Sequence, residues 1–390
     1  MSKLINYNFL FGIAITLLSA SCDSNVKIET QDKYVTIDLE GINNSTFDNV
    51  FDSVSYIKLN LPPQFFIGQV DKLVYENERI YIFDYTKAKT IFGFNLEGEF
   101  VLSINKKGQG PSEYRAPLDF QVDQSYIEVL DVGNKIIRYA LDGNFIEQFK
   151  LPFNTDKFYK ISEDQYLLYT KEIASSFEGI NSSCDVLFYN RKSGVSDCLL
   201  ERRNKVPELF FNERNLFSAT QENVFFSKVF MDSVYLYEEN KLILKYVLDF
   251  GNDTFDRDLI NTSKYGMNQI LQSFNNSNDK AFHYPNLFVS ESHIVTAFDR
   301  DGIEYVFYDI AKDETKVLKP NSSRNRNVSV PFYNIQSLHG NEVLSLIDPV
   351  VFMNVYEIES NKGNSSGVFL DFAKTVDLND PPILVKYKLK

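Results

Sequence analysis

Residues 91–100, IFGFNLEGEF, and residues 136–145, IIRYALDGNF, carry the same pattern: an apolar strand that ends in an aromatic residue, a polar turn with glycine, and a second strand. The two aromatic residues, Phe94 and Tyr139, are 45 positions apart. A repeat of about 40 to 50 residues is typical of propeller blades built from four strands. This pair of stretches therefore predicts a repeated all-β unit.

The pattern returns along the rest of the chain with looser turns. It recurs as VLFYNRKSG (186–194), VYLYEENK (234–241), YVFYDIAKDE (305–314) and ILVKYKLK (383–390). The aromatic positions Phe94, Tyr139, Tyr189, Tyr237, Tyr308 and Tyr387 are separated by 45, 50, 48, 71 and 79 residues. Two apolar strands joined by a polar turn precede each of them, as in DKLVYENERIYIFD (71–84). Six such repeats predict an all-β, six-bladed β-propeller over residues 34–390.

The composition agrees with this fold class and limits the partners. The chain of 390 residues contains 34 Phe and 23 Tyr, and aromatic residues favour strands. Acidic residues outnumber basic ones 53 to 40, which gives a net charge of −13. A surface of that sign repels phosphate backbones, so we do not expect nucleic acid as a partner.

The last aromatic strand needs a partner from elsewhere, because no further strand pattern follows it. An open ring would leave an edge with unpaired backbone groups. The segment YVTIDL (Tyr34–Leu39) lies near the other end of the chain and belongs to none of the repeats. We therefore expect this N-terminal strand to pair with the C-terminal strand, Ile383–Leu389, and to close the propeller. VFDSVSYIKL (50–59) is then expected to enter the first blade or the passage toward it.

Two of the intervals are long and predict insertions at residues 252–286 and 319–382. The first contains DTFDRDLINTSKYGMNQILQSFNN (253–276) and the second FLDFAKTVDL (369–378). Apolar residues near the helical period predict a short helix in each. Long loops often carry function, and the alternative is that these loops only cap the propeller.

Residues 1–21 have the pattern of a lipoprotein signal peptide. Lys3 supplies the positive charge, Phe9–Leu18 is an apolar stretch, and small residues precede Cys22. The apolar stretch has ten residues, too few to span a bilayer, which needs about twenty. We expect Cys22 to carry a lipid and residues 22–33 to form a tether. The protein would then be anchored in the cell envelope, at the outer membrane, with the membrane contacted through the lipid alone.

Cys184 and Cys198 flank a predicted strand, turn and strand, CDVLFYNRKSGVSDC. A hairpin brings its two ends together, and an oxidising compartment favours a disulfide between them. The alternative is two free thiols in neighbouring strands.

Residues 107–114, KGQGPSEY, and the ending NDPPILVKYKLK (379–390) resemble the six-bladed propeller lipoproteins of Gram-negative gut bacteria. That family usually ends with Asn-Pro where this chain has Asp380 and Pro381. Residues 131–145, DVGNKIIRYALDGNF, also resemble an NHL repeat. The resemblance extends over the mature chain and implies a propeller fold and an envelope location, but no reaction.

Candidate site residues are few. Glu113, Tyr114 and Arg115 form a cluster that could face one end of the propeller near its axis, and we treat them as weak candidates for binding. The alternative is that Glu113 and Arg115 hold the turn while Tyr114 packs between blades. His283, His293 and His339 have no zinc-helix spacing, and structural roles are expected for them. No cofactor is predicted, although the central channel leaves room for a calcium ion.

The leading functional hypothesis is a monomeric binding module that recognises a glycan, a peptide or an envelope protein through one propeller face. One alternative is a hydrolase or lyase at the mouth of the channel, with calcium or zinc as an aid. Another is a structural component of the envelope. Convergent His, Asp and Glu side chains along the axis would favour an enzyme, and a mixed or aromatic lining would favour binding.

Overall fold

The computed structural model describes residues 34–170, 184–202, 214–277, 279–320, 330–363 and 366–390. In this part of the chain the strands are, in chain order, β1 (Val35–Asp38), β2 (Phe51–Ile57), β3 (Lys72–Glu76), β4 (Arg79–Asp84), β5 (Thr90–Asn95), β6 (Phe100–Ile104), β7 (Pro117–Val122), β8 (Tyr126–Asp131), β9 (Lys135–Ala140), β10 (Phe145–Lys150), β11 (Thr155–Lys160), β12 (Gln165–Thr170), β13 (Cys184–Asn190), β14 (Ser196–Glu201), β15 (Phe217–Ala219), β16 (Val224–Phe226), β17 (Ser233–Glu238), β18 (Lys241–Asp249), β19 (Phe282–Val289), β20 (His293–Asp299), β21 (Ile303–Asp309), β22 (Glu314–Leu318), β23 (Ser337–His339), β24 (Glu342–Ile347) and β25 (Ile383–Leu389). The α-helices of the same residues are α1 (Phe47–Val50), α2 (Met267–Asn276), α3 (Pro349–Asn361) and α4 (Val368–Ala373). Short 3-10 turns occur at Gly251–Asp253 and Arg257–Ile260.

Within the described residues these strands form six sheets, in which consecutive strands pair antiparallel; β1 and β2 join two of the sheets from the N-terminal part of the chain. Blades one to five are β3–β6, β7–β10, β11–β14, β15–β18 and β19–β22, and blade six contains β23, β24, β25 and β2. First strands contact each other between blades one and two, two and three, four and five, five and six, and six and one, the last through β23 and β3. The predicted six-bladed β-propeller is confirmed.

The repeated aromatic residue lies in the third strand of each blade, where it packs between blades. Phe94, Tyr139 and Tyr387 are fully buried. In the described part of the chain, six hydrophobic clusters each combine side chains of two neighbouring blades. Phe94 of blade one, for example, shares a cluster with Leu344 and Leu384 of blade six. The repeat is visible in the sequence because every blade must bury an apolar face against the next.

The ring closes in blade six, where β2 pairs antiparallel with β25 and Val54 lies opposite Tyr387. A strand from the N-terminal part of the chain therefore shares a sheet with the C-terminal strand, as predicted. The strand is Phe51–Ile57, however, so residues 51–57 belong to blade six and not to the first blade, and the chain runs from there toward β3 of blade one. The ring of Phe51 lies 5.2 Å from that of Tyr387 and 5.3 Å from that of Phe307 in blade five. This aromatic packing holds β2 at its place in the ring.

The prediction that Tyr34–Leu39 pairs with Ile383–Leu389 is wrong. Val35–Asp38 instead lies parallel to β18, the outer strand of blade four, with Ile37 opposite Leu248. Ile37 and Leu39 are buried in the cluster between blades four and five. The strand pattern predicted that this segment joins a sheet edge, but alternation of residue types does not specify which edge.

The predicted helix within residues 253–276 is α2, and the one within 369–378 corresponds to α4. Helix α3 was not predicted. Its start has ordinary signals, since the Asp348 carboxylate accepts a hydrogen bond from Val350 N at 2.8 Å and Pro349 occupies the first turn. Phe352 of α3 packs on blade six, 5.6 Å from the ring of Tyr56.

Chain direction places these helices on one face of the propeller. In a sheet of consecutive antiparallel strands, the connections after the second and fourth strands leave at the same end. Helix α2 follows the fourth strand of blade four, and α3 and α4 follow the second strand of blade six. This end, where the first strands begin, is called the insertion face below. The opposite end carries the turns after first and third strands, such as Asn77-Glu78, and is called the turn face.

Candidate functional site

The first strands of the blades surround a cavity of about 200 Å³ at the propeller axis, called the channel cavity below. Blades one to three supply a mainly charged and aromatic side, which contains Lys72, Tyr75, Glu76, Gln121, Asp123, Tyr126, Glu128, Tyr159 and Lys160 together with the apolar Leu73, Val74 and Val122. Blades four to six supply a mainly apolar side that includes Phe217, Ala219, Leu287, Phe288 and Leu338. The cavity can therefore contact a ligand through both polar and apolar groups.

Arg214 closes this channel at the insertion face. It precedes β15 of blade four, and its Nη2 lies 3.2 Å from Asp71 Oδ1 in blade one. Its guanidinium carbon lies 4.0 Å from the centre of the Tyr85 ring. Blades one and four are opposite in a ring of six, so this side chain crosses the axis. The channel cavity therefore opens toward the turn face, where Glu76 and Asp123 end their strands.

An ion pair between blades two and three lies at the mouth. Lys160 Nζ donates to Asp123 Oδ2 at 2.6 Å and lies 4.6 Å from the centre of the Tyr126 ring. Although burial opposes it, the Lys160 ammonium holds the pKa of Asp123 below its usual value. Burial, with a smaller contribution from Asp123, raises the pKa of Glu76. At the mouth, the Asp123 carboxylate is thus neutralised by Lys160, and the Glu76 carboxyl binds a proton more readily than usual.

Deeper in the wall, a buried arginine joins the same two blades. Arg138 Nε donates to Glu128 Oε1 at 2.7 Å, and its Nη2 donates to the Tyr166 hydroxyl at 2.9 Å. Its Nη1 donates to Glu147 Oε1 at 2.8 Å and also contacts the Glu163 carboxylate. Burial alone would lower the pKa of Arg138, but Glu128 and its other acidic neighbours raise it. This guanidinium is therefore fixed as a cation with its donors occupied.

Glu128 lines the channel cavity and keeps one buried carboxylate oxygen unused. Only 2 % of the residue is exposed, and Oε1 accepts from both Arg138 and the Tyr166 hydroxyl, the latter at 3.0 Å. In the described structure Oε2 has no hydrogen-bond partner. Burial raises the pKa of the Glu128 carboxyl even though Arg138 lies beside it. An unsatisfied buried acceptor costs about 1–3 kcal/mol, so this oxygen calls for an explanation.

A second cavity of about 400 Å³ lies at the turn face between blades three and four, and is called the side groove below. Its lining includes Tyr237 and three glutamates, Glu222, Glu238 and Glu239. Tyr159 lines both this groove and the channel cavity. The two cavities therefore adjoin, and a ligand longer than the channel could occupy both.

Comparison with known families gives one match over almost the whole chain. The sequence profile of a family described as a domain of unknown function, DUF4934, matches residues 34–388. The chain belongs to the DUF4934 family. Compared by sequence with curated proteins, it has no match.

Two solved structures that are similar to this DUF4934 protein come from Bacteroides species. A Bacteroides fragilis protein, described as a candidate exported protein, has a TM-score of 0.75 at 18 % identity, with 92 % of this chain and 100 % of that chain covered. A member of the duf4221 family from Bacteroides vulgatus has a TM-score of 0.53 at 12 % identity, with 87 % and 97 % covered. At these identities the likeness shows the fold alone.

Glu113 and Tyr114 hold a turn in this DUF4934 chain. Glu113 Oε2 accepts a hydrogen bond from Gly110 N at 2.8 Å. A Cβ atom on Gly108 would lie 1.9 Å from the same oxygen, so a larger residue there would displace the Glu113 carboxylate. Tyr114 is buried, and its hydroxyl donates to the Lys89 carbonyl at 2.8 Å. These contacts are those of a turn packed between blades one and two.

Arg115 lies beside the same turn. Its Nη2 donates to the Val132 carbonyl at 2.6 Å, and its backbone N–H donates to Asp131 Oδ1 at 2.9 Å. Asp131 ends the second strand of blade two, so the cluster lies at the insertion face, whereas the channel cavity is lined by other residues. A binding role for Glu113, Tyr114 and Arg115 stays a hypothesis.

The histidines occupy separate environments. His283 Nε2 lies 2.7 Å from Thr296 Oγ1, and the ring of His339 lies 3.9 Å from that of Tyr75. His293 Nε2 is 3.8 Å from an Asp309 oxygen. Across the described residues, no group of three or more His, Cys, Asp or Glu side chains is arranged to hold a metal ion.

Cys184 in β13 and Cys198 in β14 are joined as a disulfide, with their Cα atoms 5.9 Å apart. That separation lies within the usual range for such bonds. Cys22, the signal peptide and the tether lie outside the described residues. Among the helices that are described, none is long and apolar enough to cross a membrane.

Sequence reasoning missed Glu128, Arg138 and Lys160. A signal was available, because YIEVLD (126–131) places a glutamate in the middle of an apolar second strand. The corresponding strand of blade one, RIYIFD (79–84), has Tyr81 at that position. A charged residue within an otherwise buried strand is rarely placed there without a partner.

The buried His283 gives a testable pH dependence. Burial lowers its pKa from 6.5 to about 4. Between these values the unfolded chain binds a proton that the folded chain does not, so stability falls as the pH is lowered. Going from pH 7 to pH 4 should reduce the free energy of unfolding by about 3 kcal/mol through this residue. Urea unfolding of the wild type and His283→Gln across this range measures the difference, and equal pH slopes would contradict it.

Proposed function

We propose that this protein is an exported envelope lipoprotein whose propeller binds a glycan, peptide or protein partner in the channel cavity and side groove. The observation that carries the proposal is the shape of the channel cavity. Arg214 closes it at the insertion face, and it is open at the turn face. Small-ligand sites are typically concave, with an apolar lining and a few polar groups that orient the ligand. The apolar side of the channel cavity and the charged side opposite it fit that description.

The fold gives such a site a fixed shape. The lining residues lie mostly on strands rather than on long loops, and each strand is hydrogen-bonded within its blade. Strand-borne sites are positioned more accurately than loop-borne ones. A site that needs little ordering on binding also loses less entropy. These properties favour a preformed binding site in a monomer.

The envelope location rests on residues 1–33. The signal-peptide pattern ends at Cys22, and the similar Bacteroides fragilis protein is described as a candidate exported protein. We place the anchored protein at the outer membrane, as the resemblance to gut-bacterial propeller lipoproteins with NHL-like blades implies. An exported location also agrees with a disulfide between Cys184 and Cys198.

Cys22→Ser tests the anchor. Without the thiol that carries the lipid, the protein should move from the membrane fraction to the soluble fraction of the producing bacterium. Thr30→Ser, in the predicted tether, serves as the control, since it keeps Cys22 and the folded body unchanged and should leave the protein in the membrane fraction. Retention of Cys22→Ser in the membrane would refute a lipid anchor at this residue.

An enzyme at the channel mouth is the second candidate, and Glu128 is the observation that favours it. A buried carboxyl with a raised pKa in a cavity is a common general acid. A calcium ion in the central channel stays part of this hypothesis. A hydrolase or lyase would convert its ligand, whereas a binding module would release it unchanged, so mass analysis of recovered ligand separates the two.

Ala219→Phe tests the location of the binding site. Ala219 lines the channel cavity on its apolar side, and a phenyl ring there would fill much of the space. In a glycan and peptide binding screen with the mature protein, we expect any ligand found to lose at least about tenfold in affinity. Val101→Phe, at an exposed position of the outer strand of blade one, is the matched control. Equal affinity of Ala219→Phe and wild type would exclude the channel cavity as the site.

A further inference from the structure

We propose that the channel cavity binds a primary alkylammonium group, such as the end of a lysine side chain, with Glu128 Oε2 as its acceptor. This inference rests on the proposed function and names the chemistry of the ligand. The ammonium group would enter from the turn face, with its carbon chain along the apolar side of the cavity. Four observations carry the inference.

The first is the unused acceptor. Glu128 is almost fully buried and lines the cavity, and in the described structure its Oε2 has no partner. Arg138 cannot satisfy it, because the donors of that guanidinium are occupied by Glu128 Oε1, Glu147, Glu163 and the Tyr166 hydroxyl. This oxygen can therefore accept a hydrogen bond from a donor outside the chain.

The second is the charge of the wall. Among the described residues that line the cavity, three carry carboxylates, Glu76, Asp123 and Glu128, and two carry ammonium groups, Lys72 and Lys160. Lys72 is paired with Asp119 at 2.8 Å. The lining therefore has an excess of negative charge. An incoming anion would be repelled and a cation attracted.

The third is the shape and polarity of the opposite side. Leu287, Leu338 and Ala219 line the cavity across from the charged wall. An inorganic cation would gain nothing from these groups, whereas the methylenes of an alkylammonium chain would bury apolar surface against them. A donor with three N–H bonds on a flexible apolar stem matches both sides of the cavity.

The fourth is the side groove. Glu222, Glu238 and Glu239 line this groove, and Tyr159 connects it with the channel cavity. A peptide that inserts one lysine into the channel could lay its neighbouring cationic residues along these glutamates. A free diamine also carries a primary ammonium group, but it is too short to extend into the side groove.

Titration calorimetry of the mature protein at low ionic strength tests the inference. The probes are trilysine amide, its fully ε-acetylated form, cadaverine and calcium chloride. We expect trilysine amide to bind, cadaverine to bind more weakly, and the acetylated peptide not to bind. Cadaverine equal to or tighter than trilysine would assign the site to free diamines. Binding of calcium alone, or equal binding of the acetylated peptide, would overturn the inference.

Glu128→Gln identifies the acceptor, since it keeps the shape and Oε1 while removing the charge. We expect trilysine affinity to fall at least about tenfold. Glu147→Gln is the matched control because Glu147 also binds Arg138, has 38 % of its side chain exposed and does not line the cavity. It should stay within about twofold of wild type. Equal losses in both variants would show that the network, not Oε2, governs binding.

A second cavity variant keeps the test valid if Glu128→Gln does not fold. Glu76→Gln removes a charge at the mouth, where the residue is half-buried, and should weaken trilysine binding about threefold while leaving the unfolding midpoint unchanged. These binding measurements also distinguish failure of the ammonium site from failure of the proposed binding function. A neutral ligand that Ala219→Phe blocks, with no amine binding, would leave the proposed function standing and refute the ammonium site.

Discussion

The structure depends on the closure of a ring by strand pairing. Each blade buries one face against the next, so removing the last contact would expose two apolar faces and one strand edge. In this chain the last sheet is built from distant segments, because β2 pairs with β25. Phe51 then packs against Tyr387 of its own sheet and Phe307 of blade five. One strand thus completes both a sheet and an inter-blade core.

Closure of the ring also determines which side chains meet at the propeller axis. The first strands meet around the axis only when the ring is complete, and only then do Arg214 and Asp71 reach each other from opposite blades. The same geometry brings Glu128 and Arg138 of blade two next to Glu163 and Tyr166 of blade three. The charged wall of the channel cavity is therefore a property of the assembled ring, and no single blade contains it.

The blade count, the third-strand aromatic residues and two of the helices could be predicted because each leaves a local pattern in the sequence. Phe94 and Tyr139 repeat since every blade has the same packing requirement. The choice of closing strand could not be predicted in this way. Tyr34–Leu39 and Phe51–Ile57 are both short alternating segments, and their partners are set by tertiary contacts such as those of Ile37 and Phe51.

The candidate site was harder to predict than the fold. The sequence indicates a cluster of Glu113, Tyr114 and Arg115 near one end of the propeller. The contacts of these residues are those of a turn. Glu128 and Arg138 lie in strands with no motif around them, and their pairing becomes visible only when two strands of one blade are set side by side. A charge in the middle of an apolar strand was the signal that could have identified them.

Engineered cysteine pairs test the ring most directly. Ser55 lies opposite Lys386 across β2 and β25, and antiparallel neighbours are close enough for a disulfide. In a background with the native cysteines replaced by serine, Ser55→Cys with Lys386→Cys should oxidise to an intramolecular disulfide in the folded protein. Thr36→Cys with Lys386→Cys should stay reduced, because Thr36 lies opposite Val247 in blade four. The reverse result would place Tyr34–Leu39 at the closure and contradict the account.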